Sequence, residues 1–220
     1  MKSKLMFLLL FFSAVNCSSS QDMLTSEIKT IKLLQDSIKK SNYIPIDIKT
    51  FLTREQIDSS NVPLLFVELE SRQNGTLTVY PGKGIGTTWL GIDGATITFD
   101  RGVLIASRGM GDDVMGGKNY MPDWNKINGK AKYKRSLSYL ISDNTIVIRN
   151  FKCEVENSKQ IKTLKIFNVN YKAVLFIEKC SDLIGKIENK YYIEGDSFVR
   201  KTYQYHSDTL GYIHTERVDR

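Results

Sequence analysis

The sequence predicts a mainly β fold: an antiparallel meander curled into a barrel-like or half-barrel sheet, preceded by one N-terminal amphipathic helix. Three observations predict it. Beyond Val62 the chain is a succession of runs rich in Val, Ile, Thr, Tyr and Phe, each bounded by Gly, Asn or Asp. The turns between them are short, as at Asn74-Gly75, which favours antiparallel hairpins over parallel crossovers. A bond between Cys153 and Cys180 would require the predicted sheet to curl.

The chain begins with the features of a bacterial lipoprotein signal. Lys2 and Lys4 precede an apolar run over 5–12, which is shorter than the roughly 20 residues of a permanent transmembrane helix. Cleavage before Cys17 would expose a thiol that carries the lipid and tethers the rest of the chain to a membrane. Asn16 departs from the Gly, Ala or Ser usual before the cysteine. The alternative is an ordinary signal peptide, which would leave Cys17 as an unpaired thiol.

The predicted organisation is a signal peptide over 1–16, a lipid-anchored helix and linker over 17–61, and a single β domain over 62–220. Ser18 favours sorting to the outer membrane, so the expected location is its periplasmic face. The helix spans 22–41, where apolar residues recur at helical spacing, namely Leu24, Ile28, Ile31, Leu34 and Ile38. We expect this stripe to pack on the domain; the alternative is that it rests on the membrane. Thr53 and Gln56 form a capping-box pattern that predicts a short helical turn.

The net charge is +7, from 31 Lys and Arg against 24 Asp and Glu. Loss of residues 1–16 removes Lys2 and Lys4 and lowers it to +5. This surplus suits an anionic partner such as an acidic polysaccharide or a lipid headgroup surface, although it is also common in proteins without one. No basic run interleaved with aromatic residues is present, so a nucleic-acid partner is not expected.

Twelve strands are predicted beyond the capping box, and no second helix of any length. They span 63–70, 76–80, 87–92, 96–100, 103–107, 131–141, 145–156, 160–169, 172–180, 184–193, 197–205 and 211–218. The intervening segment 108–117 is rich in glycine and is interpreted as a loop.

Three cysteines leave one over in an exported chain, and lipidation of Cys17 would use it. Cys153 and Cys180 are then free to form a disulfide, the alternative being two buried thiols. On the predicted strands they occupy the first and third of three neighbours, about 9.6 Å apart in a flat sheet. A disulfide needs Cα atoms within about 7 Å, so the bond would require the sheet to curl there. Neither cysteine has partners at metal-ligand spacing, so no metal site is predicted.

Residues 87–117 contain two hairpin strands and the segment Arg108-Gly109-Met110-Gly111-Asp112-Asp113. Together with the lipoprotein signal, they resemble the YjbF/GfcB family of lipoproteins encoded with group 4 capsule and exopolysaccharide genes. Later segments also match: Phe151-Lys152-Cys153, Glu178-Lys179-Cys180, Asn189-Lys190-Tyr191-Tyr192 and Gly211-Tyr212-Ile213. The resemblance implies an accessory lipoprotein in the making or export of a surface polysaccharide. It implies a curled all-β meander, no established catalytic residue and no cofactor.

Five residues are candidates for glycan binding: Trp89, Arg108, Asp112, Asp113 and Trp124. The adjacent carboxylates of Asp112 and Asp113 lie among glycines and could bind a cation or sugar hydroxyls, or form a tight turn by accepting backbone amides. We expect Trp89 to be a core residue. Trp124 follows a Pro-Asp pair in a loop and is expected to be the exposed tryptophan.

The leading hypothesis is a non-enzymatic, lipid-anchored periplasmic protein that assists capsule or exopolysaccharide export or assembly. Its expected partners are the outer membrane, an anionic polysaccharide and polysaccharide-export proteins. The first alternative is a glycan-modifying enzyme that uses Asp112 or Asp113, and the second is an envelope-integrity lipoprotein. His206 and His214 are the only histidines, and neither has a serine or cysteine beside it in a recognised nucleophile motif.

Overall fold

A computed structural model describes residues 47–71, 73–82, 84–141 and 144–219. The predicted signal peptide, the lipidation site Cys17 and the amphipathic helix over 22–41 lie outside the described residues. The described chain is mainly β, with two short helices, α1 (Ile48–Phe51) and α2 (Arg54–Ser59). Its strands are β1 (Leu64–Leu69), β2 (Asn74–Tyr80), β3 (Thr87–Gly91), β4 (Thr96–Asp100), β5 (Val103–Arg108), β6 (Asp113–Asn119), β7 (Lys130–Leu140), β8 (Ile146–Ile166), β9 (Val169–Ser181), β10 (Lys186–Glu194), β11 (Phe198–Ser207) and β12 (Gly211–Arg217).

All twelve strands belong to one antiparallel sheet in the order β5-β4-β3-β2-β1-β12-β11-β10-β9-β8-β7-β6. The first and last strands, β1 and β12, pair at its centre. The two outermost strands, β5 and β6, are consecutive in the chain, and the sheet curls until they lie side by side. The result is a nearly closed barrel, which confirms the predicted fold class.

The barrel has two ends with different contents. We refer to the end that carries the β2–β3, β4–β5, β6–β7, β8–β9 and β10–β11 connections as the cleft end. The opposite end, which carries the β1–β2, β3–β4, β5–β6, β7–β8, β9–β10 and β11–β12 turns, is the far end. Because side chains alternate across each strand, every second residue points into the barrel, as the burial pattern of β10 shows.

The β6–β7 connection closes the cleft end from inside. It contains one turn of 3₁₀ helix (Trp124–Lys126), and Met121, Trp124 and Ile127 are each at most 3 % exposed. Trp124 packs against Phe176 and Tyr191 of the interior, at ring-centroid distances of 5.3 and 4.9 Å. The expectation that Trp124 is exposed is therefore wrong, because the loop folds into the barrel mouth and buries its apolar side chains there.

The two helices pack on the outside of the barrel. Thr53 and Gln56 form the predicted capping box at the start of α2. Ile57 of α2 is buried in a second, smaller cluster with Phe66, Ile166 and Val218. Among the described residues no helix is long and apolar enough to cross a membrane.

Two strand predictions are wrong, although the number of strands, twelve, equals the predicted number. The glycine-rich segment forms most of β6, which pairs with β7 along its length. The predicted strands 145–156 and 160–169 are one strand, β8, with an irregularity between Asn157 and Ile161. This irregularity falls in a polar run that contains a lysine. Because a bulge interrupts the alternation of side chains, the sequence pattern does not show that the strand continues.

The disulfide between Cys153 and Cys180 is present, with Cα atoms 4.0 Å apart. The two cysteines are direct partners on the adjacent strands β8 and β9. The inference that their bond requires the sheet to curl is therefore wrong, since it assumed an intervening strand. The barrel instead closes where the edge strands β5 and β6 contact each other.

Candidate functional site

The glycine-rich segment forms the seam between the two edge strands. Arg108, at the end of β5, donates from Nη1 to the carbonyl of Val114 and from Nη2 to the carbonyl of Met115, both at 2.8 Å. The hydroxyl of Ser107 accepts from the amide of Val114 at 3.0 Å. Side chains of β5 thus form hydrogen bonds with the backbone of β6, in place of the backbone-to-backbone hydrogen bonds of a regular β-ladder. The structure places Arg108 in this structural role.

The two aspartates of the segment have different surroundings. Asp113 is buried, and its carboxylate accepts from the amides of Gly109 and Met110 at 2.8 and 3.1 Å and from the Ser107 hydroxyl at 3.0 Å. This is the tight-turn arrangement that the sequence left open beside binding and catalysis. Asp112 lies at the surface of the far end and accepts a hydrogen bond from the Thr209 hydroxyl.

The barrel interior brings His206 beside a serine that lies 99 residues away in sequence. His206 Nε2 is 2.9 Å from the Ser107 hydroxyl, which itself donates to Asp113. Since that hydroxyl has one proton, Nε2 must carry the imidazole proton. Nδ1 is buried without a hydrogen-bond partner among the described residues. The carboxylate therefore bonds the serine and not the histidine, which is the wrong order for a catalytic triad.

Burial lowers the pKa of His206 to about 4, because a charged imidazolium would place a second N–H in an apolar surround. The nearby carboxylates of Asp113 and Asp112 oppose this shift and do not overcome it. All three members of the Ser107–His206–Asp113 group are at most 9 % exposed. A substrate cannot reach this serine, so the group is structural.

A second polar network crosses the centre of the barrel. Glu178 is fully buried and accepts from Asn189 Nδ2 and the Tyr191 hydroxyl, both at 2.6 Å, and from the Tyr133 hydroxyl. Arg135 Nη1 lies 3.6 Å from its second oxygen, and both side chains are inaccessible to solvent. Burial is the largest cause that raises the pKa of Tyr191, and the Glu178 charge adds to it. The hydroxyls of Tyr133 and Tyr191 therefore stay protonated and donate to Glu178.

One group of potential metal ligands comes together in the described part of the chain: Cys153, Glu178 and Cys180. The two sulfur atoms are bonded to each other, and a disulfide sulfur is not the thiolate that metals bind. The carboxylate is already bonded by three donors. This group does not fit a metal site in its oxidised form.

A cleft of about 200 Å³ opens at the cleft end of the barrel. Its lining comes from both halves of the sheet: Leu65, Thr87, Trp89, Phe99, Arg101, Gly102, Ser197, Phe198, Val199, Thr202, Thr215 and Arg217. The volume is below the roughly 300 to 1,000 Å³ of pockets for drug-sized ligands, so it suits a group of about one sugar ring. Trp89 is the one predicted glycan-binding residue that lines it, and it is only 2 % exposed.

An alternating stack of aromatic rings and guanidinium groups ends at the cleft, which three of its five members line. Its order is Tyr171, Arg200, Phe198, Arg217 and Trp89, and successive guanidinium-to-centroid distances are 4.1, 4.4, 4.9 and 4.7 Å. Each guanidinium is thus held between two rings, which fixes its plane and position. Trp89 is the inner floor of the stack, and Phe198, 36 % exposed, is its open member.

Acidic groups orient both arginines of this stack. Arg217 donates to the carboxylate of Asp219 from Nε at 2.8 Å and Nη2 at 2.5 Å. Among the described residues, Nη1 of Arg217 makes no hydrogen bond. Arg200 donates to Glu194 and to the carbonyls of Arg217 and Asp219. Since Arg200 is only 4 % exposed, Arg217 is the member of the stack whose charge faces the cleft.

The turn that carries Arg101 and Gly102 forms another part of the cleft lining. Arg101 and Gly102 both have positive φ, as a two-residue hairpin turn requires. A Cβ at Gly102 would lie 2.3 Å from Val199, so only glycine fits. Trp124 Nε1 donates to the carbonyl of Arg101, and Gln204 Nε2 donates to that of Gly102, both at 2.9 Å. The second tryptophan candidate therefore supports the cleft from inside and does not face it.

Chemically, the cleft offers a cation, a ring face and hydroxyl groups within one small space. Guanidinium groups bind carboxylates and phosphates, Thr87 and Ser197 can hydrogen-bond sugar hydroxyls, and the ring of Phe198 can contact the C–H face of a sugar. Phe198, Arg200 and Arg217 are not among the binding residues predicted from the sequence. The alternation of Phe198 and Arg200 on one face of a strand was the available signal, but their partners come from strands distant in sequence.

Comparison with known proteins agrees with the sequence resemblance and with the observed fold. Residues 29–218 match the family described as group 4 capsule polysaccharide lipoprotein gfcB, YjbF. A solved structure, the hypothetical lipoprotein YmcC from Escherichia coli K12, has the same fold, with a TM-score of 0.70 and 14 % sequence identity. That match covers 82 % of this chain and 98 % of the other. Comparison with curated proteins gives no match.

The family match extends over most of the chain, including every strand of the barrel. It contains both the seam and the residues of the arginine–aromatic stack. The chain therefore belongs to the YjbF family of group 4 capsule polysaccharide lipoproteins.

Proposed function

We propose that this lipoprotein assists the export or assembly of a capsular or exopolysaccharide by holding an acidic sugar residue of the polymer in the cleft, without catalysing a reaction on it. The observation that carries the proposal is the arginine–aromatic stack, in which Arg217 faces the cleft between Phe198 and Trp89. Family membership supports the polysaccharide as the partner.

A carboxylate-bearing sugar fits the cleft better than a neutral one. Asp219 occupies the Nε and Nη2 positions of Arg217, so a ligand carboxylate would bond Nη1. Arg101 also lines the cleft, where it pairs with Asp100 and Asp123 and its side chain is 37 % exposed. A neutral sugar would bond Nη1 of Arg217 more weakly than a carboxylate would.

The proposal assigns no catalytic residue. Asp113 is fully engaged by backbone amides and a serine, and Asp112 lies at the far end, away from the cleft. We place the protein at the periplasmic face of the outer membrane, anchored through Cys17, with polysaccharide-export proteins as further partners. The signal-like leader and the family support this placement.

The first experiment measures binding of oligogalacturonate, a polymer of carboxylate-bearing sugars, to the purified protein by calorimetry. Phe198→Ala and Arg217→Gln should each raise the Kd at least tenfold. Phe51→Ala is the matched control because Phe51 is an exposed ring, 60 % accessible, on α1. Unchanged binding in folded cleft variants would contradict the proposal, and equal affinity for neutral dextran would contradict its acidic-sugar part.

The second experiment measures the amount and chain length of surface and released polysaccharide in a strain that lacks the gene. Wild type and Phe51→Ala should restore the polymer, whereas Phe198→Ala should not, at equal protein level. No change in polymer on deletion would sink the proposal and favour an envelope-integrity role.

A further inference from the structure

The outer face of the barrel carries a row of four lysines that runs across strands β6, β7, β8 and β10. Lys134 of β7 is the direct cross-strand partner of Lys152 of β8, and Lys152 is paired through Ser181 of β9 with Lys186 of β10. Lys118 of β6 is paired with Ser136, two residues along β7 from Lys134. All four lysines are exposed. We refer to these four as the lysine row.

The lysine row is unusual because its charges are not balanced nearby. The neighbouring exposed lysines are paired: Lys130 and Lys132 with Glu154, and Lys179 with Glu188. No ion pair involves the lysine row within the described ranges. Like charges placed directly opposite on a sheet repel each other, so this arrangement carries a cost that a bound anionic surface would relieve.

Four exposed aliphatic side chains lie at the far end of the barrel, on the strand that carries Lys152 and in the turn that precedes Lys186. Leu183 and Ile184 form the β9–β10 turn, and Ile146 and Ile148 begin β8 beyond its last pair with β9. They are 106, 68, 59 and 63 % exposed, respectively. We refer to these four residues as the apolar tip. Single exposed aliphatic residues are ordinary, but four together mark a contact surface.

The turn that presents Leu183 and Ile184 is held in one shape. Asp182 Oδ1 accepts from the amides of Ile184 and Gly185, both at 2.9 Å. Arg149 donates to the same carboxylate from Nε at 2.6 Å and Nη2 at 3.1 Å. This ion pair is the largest cause that lowers the pKa of Asp182 to about 2, so the carboxylate stays charged at any physiological pH. The apolar tip is therefore presented without collapsing onto the barrel.

We propose that the lysine row and the apolar tip dock the far end of the barrel on an anionic phospholipid surface. The aliphatic side chains enter the boundary between headgroups and acyl chains, and the lysines contact the headgroup phosphates. Aliphatic rather than aromatic residues form the apolar part, which suits acyl chains better than sugar rings. The cleft, at the opposite end, then faces away from the membrane. This inference does not depend on a ligand in the cleft.

A local reporter tests the contact. In full-length protein carrying Cys17→Ser, which has no acyl chain, Leu183→Trp is compared with Ile85→Trp, an exposed position at the cleft end that is 81 % accessible. With vesicles of equal phosphatidylglycerol and phosphatidylcholine, tryptophan emission of Leu183→Trp should shift to shorter wavelength and be quenched by brominated acyl chains. Emission of Ile85→Trp should not change. Phosphatidylcholine vesicles alone should give a weaker response.

Charge removal tests the lysine row separately. Lys134→Gln with Lys152→Gln should raise the lipid concentration for half-maximal response of Leu183→Trp about 25-fold, since each lysine near an anionic surface contributes about fivefold. Lys162→Gln with Lys172→Gln, two exposed lysines on the β8–β9 hairpin at the other end, should leave it unchanged.

Three results would overturn the proposal. One is an emission of Leu183→Trp that stays at its aqueous wavelength on anionic vesicles. A second is an equal response from Ile85→Trp. The third is binding of soluble polygalacturonate that is lost in the Lys134→Gln, Lys152→Gln variant while the vesicles give no shift, which would make the lysine row a polysaccharide site.

Discussion

Leu104, on edge strand β5, obtains its hydrogen bonds from side chains inside the barrel. Its amide donates to Gln204 Oε1 at 2.9 Å, and its carbonyl accepts from Arg135 Nη2 at 2.6 Å. Buried backbone groups must be bonded, and within the described part of the chain no strand pairs with β5 along this edge. Polar residues from β7 and β11 therefore complete the closure of the barrel, which explains why a charged arginine lies in its centre.

The pair formed by Arg135 and Glu178 makes a first prediction at the residue scale. Glu178→Gln removes the carboxylate that pairs with the fully buried Arg135 and should lower the free energy of unfolding by roughly 3 to 5 kcal/mol. Urea denaturation followed by far-ultraviolet circular dichroism measures the loss. Glu154→Gln, in the exposed pair with Lys130, is the control and should leave the midpoint unchanged. A Glu178→Gln midpoint equal to that of wild type would show that the pair is not needed.

His206 predicts how stability depends on pH. Its pKa is about 4 in the folded protein against 6.5 for an ordinary histidine, so the unfolded chain binds more protons between these values. The contribution is fully present above pH 6.5 and is lost as the pH falls toward 4, by roughly 3 kcal/mol in all. His206→Gln should flatten this part of the curve of unfolding free energy against pH. Parallel curves for the two proteins between pH 7 and 4 would contradict the assignment.

At the scale of the element, strand β6 contains two neighbouring glycines, Gly116 and Gly117, whose surroundings differ. A Cβ at Gly117 would lie 2.4 Å from Leu137 Cδ2 and 3.2 Å from the carbonyl of Ile105 on β5. A Cβ at Gly116 would have no atom closer than 4.0 Å. Glycine at 117 therefore allows the close approach of the two edge strands across the seam.

Gly117→Ala should lower the free energy of unfolding by about 1 to 3 kcal/mol, because the added methyl group overpacks the buried Leu137. Gly116→Ala is the matched control and should have little effect or stabilise slightly. Hydrogen exchange should show faster exchange of β5 and β6 amides in the first variant only. Equal behaviour of the two variants would mean that the seam does not require the glycine.

The disulfide makes a second prediction for elements. Cys153→Ala with Cys180→Ala opens a loop closed across a separation of 27 residues and should cost roughly 3 to 4 kcal/mol on the chain-entropy account. Thermal unfolding of the double variant against wild type measures it. The fold itself should persist, since Cys153 and Cys180 lie on strands already paired by backbone hydrogen bonds. Loss of the folded state would contradict this view.

For the whole molecule, the two ends of the barrel are proposed to serve different contacts, the far end with lipid and the cleft end with polysaccharide. Cys17→Ser should move most of the protein from the membrane to the soluble fraction of the envelope, because one weak surface contact does not replace acyl chains. Fractionation followed by immunoblotting measures the distribution. An unchanged membrane fraction would mean that Cys17 is not the main anchor.

The sequence by itself determined the β class, the antiparallel hairpins, the capping box at Thr53 and the pairing of Cys153 with Cys180. Each follows from spacing, turn chemistry or cysteine parity, which act over short distances or by counting. Its resemblance to the YjbF family is confirmed by the family match.

Only the tertiary structure decided which residues meet across the barrel. It buried Trp124, turned the glycine-rich segment into strand β6 and joined two predicted strands into β8. It also assembled the cleft from Trp89, Phe198 and Arg217, which lie on three different strands. Closure of the sheet decides these contacts, because side chains far apart in sequence become neighbours only when β5 reaches β6. The alternation within a single strand shows which face is buried but not what it faces.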